Sequence, residues 1–67
     1  MITKEELESI GLYNYNGEFL TKDNNMRYNI EKQCLYYLPV FAYGEVFMGE
    51  YHCIDKLEKV IESWKND

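Results

Sequence analysis

Residues 12–22 read LYNYNGEFLTK, and the fold turns on them. Asn16-Gly17 stands between two short runs of residues that suit strands. That dipeptide accepts the positive φ angles of a two-residue hairpin turn, so the flanking runs read as antiparallel partners. Glu18 to Lys22 is a strand with Phe19 and Thr21 on one face. Leu12 to Tyr15 reads as a short strand before it, and its spacing leaves open whether that strand joins the sheet.

Downstream the pattern repeats. Asp23-Asn24-Asn25 is a turn by composition. Met26 to Asn29 alternates, which puts Met26 and Tyr28 together. Asn29 to Gln33 reads as a hairpin loop, because Asn is favoured at the first position of a type I turn. Cys34 to Leu38 is rich in strand formers and stops at Pro39, which cannot donate to a ladder. Val40 to Gly44 is a loop or irregular edge. Glu45 to Cys53 is the last strand. Its alternation places Phe47, Tyr51 and Cys53 on one face and Val46, Met48, Glu50 and His52 on the other. Gly49 marks a bulge or a close packing contact.

Helices bracket these strands. Thr3 and Glu6 have the spacing of a capping box, Ile2 and Leu7 that of a hydrophobic staple, and Gly11 is a natural stop. A helix over Thr3 to Ile10 follows. From Ile54 to Lys65 the apolar residues Ile54, Leu57, Val60, Ile61 and Trp64 keep helical spacing. Trp64 lies on that stripe and is expected to anchor the helix to the sheet. The expectation is an α+β fold: a small antiparallel sheet of three or four strands, with an N-terminal and a C-terminal helix packed on one face.

Composition bounds the function. The 67 residues allow one domain, 1–67, and 46% hydrophobic with 16% aromatic content argues for a packed core. A net charge of −5, with only 7 Lys plus Arg, makes a grip on a phosphate backbone or an anionic membrane unexpected. The start, Met1-Ile2-Thr3-Lys4-Glu5-Glu6, has no apolar run of the signal-peptide kind, so the expected location is cytoplasmic. Cys34 and Cys53 read as reduced, structural thiols.

The ending YHCIDKLEKVIESWK, residues 51–65, resembles short uncharacterised proteins of bacterial phages and mobile elements. The likeness covers the last third of the chain. It implies no activity and no site residues.

Chemistry-bearing motifs are missing. There is no H-E-x-x-H, G-x-S-x-G or phosphate-binding glycine loop. His52 and Cys53 are strand neighbours and point to opposite faces, so with Cys34 they do not converge on a metal. The expectation is a non-enzyme with no cofactor.

The tyrosines are the least ordinary feature. Phe19, Tyr28, Tyr37, Phe47, Tyr51 and Trp64 suffice for a core under two helices. That leaves Tyr13, Tyr15, Tyr36, Tyr43 and Phe41 seeking cover. The sheet face opposite the helices is therefore the expected protein interface, made by Tyr36, Leu38, Tyr43, Val46 and Met48. The reading is a protein-interaction module, self-associating as a homodimer or docking on a larger protein. Two alternatives compete with it. One is a small Cys/His metal-binding or thiol protein. The other is an acidic mimic of nucleic acid that inhibits a DNA-binding protein, although the carboxylates are spread rather than aligned.

Overall fold

Helix α1 spans Lys4–Ser9 and begins as its sequence requires. In the computed structural model, which describes residues 1–22, 25–39 and 44–65 (the side chain of Lys65 excepted), Thr3 is the N-cap. Its hydroxyl accepts from the Glu6 N–H, and the Glu6 carboxylate accepts from the Thr3 N–H, closing the capping box. Gly11 leaves the helix at φ +101°, and the Leu12 N–H returns to the Leu7 carbonyl at 3.1 Å.

The strands follow as a meander in which every neighbour is antiparallel: β1 (Tyr13–Tyr15), β2 (Glu18–Leu20), β3 (Met26–Asn29), β4 (Cys34–Tyr37) and β5 (Val46–Glu50). Helix α2 (Ile54–Lys65) closes the described chain. Among the described residues the sheet therefore has five strands, not three or four. The extra one is β1, which the Asn16-Gly17 turn holds in register with Tyr13 opposite Leu20 and Tyr15 opposite Glu18. Asn16 and Gly17 both have positive φ, and the Asn14 side-chain oxygen accepts from the Gly17 N–H at 2.9 Å.

One buried cluster holds the layers together. The register aligns Phe19, Tyr28 and Leu35 on a single sheet face. Those residues and Met26 form one core with Ile2, Leu7, Leu12, Leu57 and Ile61. Both helices therefore bury their stripes against the same side of the sheet. Ile2 and Leu7, the two ends of the staple, are both in that core.

Strand β5 departs from the expected alternation. It ends at Glu50, so Tyr51, His52 and Cys53 lie beyond it. Leu35 pairs with Gly49 but Tyr36 pairs with Phe47, which leaves Met48 as a bulge. An extra residue in one strand reverses the face of everything before it. Counting back by twos from Tyr51 put Phe47 on the helix side. In the structure Phe47 meets Tyr36 on the other face, ring centroids 5.8 Å apart, while Met48 packs against the core. Gly49 serves both roles expected of it. It sits beside the bulge at φ +126°, and a Cβ there would lie 3.3 Å from the Tyr51 ring. Cys53 is exposed rather than a core residue, whereas Cys34 is buried.

Tyr28 carries a testable electrostatic consequence. Its ring is fully buried and its hydroxyl donates to the Tyr51 carbonyl at 2.6 Å. Burial, with a smaller contribution from Cys34, pushes its pKa up from 10.0 to about 12. The folded protein thus keeps a proton that the unfolded chain releases, so stability falls as pH rises from 10 toward about 12. Tyr28→Phe loses the hydrogen bond, about 1 kcal/mol near neutral pH, but has no proton to retain. Urea midpoints of parent and variant should converge through that alkaline window. A constant gap would show that Tyr28 is not the titrating group.

Candidate functional site

The face away from the helices carries a continuous row. Tyr13 pairs with Leu20, Leu20 with Arg27, Arg27 with Tyr36, and Tyr36 with Phe47, one residue from each strand. Opposed residues in a ladder project to the same side, so these five side chains cross the whole sheet. Tyr15 lies beside Tyr13 on the same face by period two.

Arg27 is the centre of this row. One terminal nitrogen donates to Glu18 Oε1 at 2.6 Å, and the other donates to Glu45 Oε2. The guanidinium lies over the Tyr36 ring, 5.1 Å from its centroid. Its side chain is only 18% exposed. The Arg27 Nε is buried and meets no acceptor among the described residues. A half-buried cation is thus held by two carboxylates and one aromatic face, all from separate strands or strand ends.

Around that centre the aromatic rings stand in water. Phe47 is 60% exposed and Tyr15 61%, with Tyr13 also exposed, while Leu20 and Tyr36 are half-buried. Large apolar side chains grouped on one face, with polar groups set among them, have the make-up of an interaction surface.

The five residues expected to form an interface fall in different places. Tyr36 is in the row. Leu38 is half-buried beyond the end of β4, where its N–H donates to the Asn25 carbonyl at 2.7 Å, and period two from Tyr36 puts it on the open side. Val46 pairs with Tyr37, which stacks on Trp64 of α2, so Val46 is on the helix side at the sheet edge. Met48 packs against the core. Tyr43 and Phe41 lie outside the described residues. Sequence reasoning missed Arg27, Leu20 and Phe47 as parts of this surface. Arg27 and Leu20 were within reach, because Met26 and Tyr28 facing the core send Arg27 the other way. Phe47 was not, because Gly49 signals either a bulge or a close contact, and only a bulge, with its extra residue at Met48, reverses the face of Phe47.

The faces respond differently to charge. Met48→Glu would bring a carboxylate against the core and is expected to cost about 1–3 kcal/mol. Phe47→Glu, on the open face, should leave the thermal midpoint within a few degrees of the parent. The reverse order in thermal melts would mean that β5 has no bulge at Met48.

The other chemistry-bearing residues stay apart. His52 Nε2 lies 3.0 Å from Glu50 Oε2 in an exposed pair. The Cys34 thiol donates to the Lys32 carbonyl at 3.2 Å. Among the described residues, no group of three or more His, Cys, Asp or Glu is placed to hold a metal ion. Nor is any helix among them long and apolar enough to cross a membrane.

No known protein family, characterised protein or solved structure matches the chain.

Proposed function

We propose that this chain is a non-enzymatic protein-interaction module of the cytoplasm that binds through the open face of its sheet. The observation that carries the reading is the row Tyr13–Leu20–Arg27–Tyr36–Phe47, with Phe47 at one edge of the sheet and Tyr15, beside Tyr13 at the other, largely exposed. Tyrosine, phenylalanine and arginine are enriched where proteins meet, and the strongest contacts gather around such residues. A 67-residue domain gains little stability from rings left in water, so their grouping on one face favours a binding role.

Site-directed photocrosslinking in the native cell tests this. A benzophenone side chain placed at Tyr15 or Phe47 should give discrete protein adducts. The same group at Ser9 or Glu58, on exposed positions of the two helices, should give none. Adducts from the helix positions alone would move the interface to the other side of the molecule.

A further inference from the structure

The charge and the rings of the open face together specify what it binds. Glu18 and Glu45 set two carboxylates against the single guanidinium of Arg27, leaving this group with a net charge of −1. Each carboxylate engages Arg27 through one oxygen, Oε1 of Glu18 and Oε2 of Glu45. The second oxygen of each is an acceptor for an incoming donor. Glu50 adds a further carboxylate: it pairs with Cys34, which alternation from Leu35 puts on this face. The nearest lysines in sequence, Lys22 and Lys32, lie in turns at the strand ends rather than within the row.

A second copy of this chain fits such a surface poorly. Stacking two open faces would press like-charged groups together and bury the excess carboxylate charge without a partner, which is costly. A cation reverses the balance. The Arg27 guanidinium over Tyr36 already displays the mode of contact. Tyr13, Tyr15 and Phe47 hold the same chemistry open to solvent on the same face.

We infer that the occupant of the open face is an arginine- or lysine-bearing surface of another protein, whose cations lie on the exposed rings of Tyr13, Tyr15 and Phe47 and hydrogen-bond to Glu18 and Glu45. The inference rests on the interaction-module reading and names the chemistry of its partner. Binding is then salt-sensitive, because a charged contact at a partly solvated face is screened. Arginine suits it better than lysine, since a planar guanidinium stacks on a ring and still has N–H donors at its edge for the second oxygen of a carboxylate.

The test uses the intact chain, labelled with 15N, and a synthetic octapeptide of alternating arginine and glycine. The glutamate–glycine peptide is the control. The arginine peptide should shift the amide signals of Tyr13, Tyr15, Arg27, Tyr36 and Phe47 and weaken with added salt. Phe47→Ala should reduce its affinity about three- to tenfold. Glu18→Gln with Glu45→Gln should reduce it further. Shifts centred on Glu5, Glu6 and Glu8 of α1, or no shifts, would overturn the cationic partner. Sedimentation of the chain alone separates the two levels of the argument. A dimer that Phe47→Glu dissociates would keep the open face as an interface but replace the cationic partner with a second copy. Neither peptide shifts nor a dimer, together with photocrosslinks from the helix side only, would remove the interaction-module reading itself.

Discussion

Gln33→Leu is expected to leave the protein largely unfolded at room temperature. Gln33 is only 3% exposed, although it sits in the turn between β3 and β4. Its amide is a clamp on the main chain. Oε1 accepts from the Ile2 N–H at 2.7 Å, and Nε2 donates to the Ile2 carbonyl at 3.1 Å and the Ile30 carbonyl at 2.8 Å. Its own carbonyl accepts from the Tyr51 N–H at 2.9 Å. One residue therefore ties the chain start, the β3–β4 turn and the exit from β5 together. Leucine ends one bond short of the amide's oxygen and nitrogen and has no polar atoms. It would strand three main-chain groups, at about 1–3 kcal/mol each where water cannot reach them. A core of this size supplies only about 3–5 kcal/mol in total. For comparison, Thr3→Ala removes only a helix cap and should cost about 1 kcal/mol. Urea titration followed by circular dichroism measures both. A Gln33→Leu protein with the parent's midpoint would mean that the chain start is not held at this turn.

Leu57→Ala should be the most damaging substitution in α2, at about 3–4 kcal/mol. Leu57 is fully buried and faces the sheet among Leu7, Tyr28 and the rest of the cluster. Removing its branched end opens a cavity that the strands, tied by their ladders, cannot close. Trp64 lies on the same stripe but is 42% exposed. It stacks on Tyr37 with centroids 5.1 Å apart, near the end of the helix. Trp64→Ala is therefore expected to cost about 2 kcal/mol, roughly half the loss of a fully buried aromatic. The helix register is as its spacing indicated. The role of anchor belongs to Leu57 and Ile61, because burial at a helix end depends on how far the sheet extends beneath it. Thermal melts of the two variants give the order, and a larger loss for Trp64→Ala would place the core nearer the C-terminal end of α2.

Most of the elements were legible because they are local. The capping box at Thr3 and Glu6 and the stripe of α2 each answer to a few neighbouring residues. The hairpin at Asn16-Gly17 was equally clear, but the membership of its first strand in the sheet depended on β2 already being paired to β3. The candidate site was less legible. Tyr36 was assigned to the open face from alternation in β4, whereas Val46 and Met48 were assigned through a count that runs across the bulge. In sequence, Gln33 is only the last residue of a hairpin loop. Nothing near it in sequence announces Ile2, 31 positions away, as its partner.

The sequence by itself determined the kind and order of the helices and hairpins and the acidic, aromatic character of the chain. These follow from backbone preferences, periodicity and composition, which act over a few residues or over the whole chain regardless of shape. Tertiary structure alone decided that Met48 bulges inward and Phe47 outward. It alone decided that Gln33 is buried, and that Arg27 sits between Glu18 and Glu45 over Tyr36. Each depends on groups that are distant in sequence and adjacent in space, where one extra residue in a strand exchanges the core side for the solvent side.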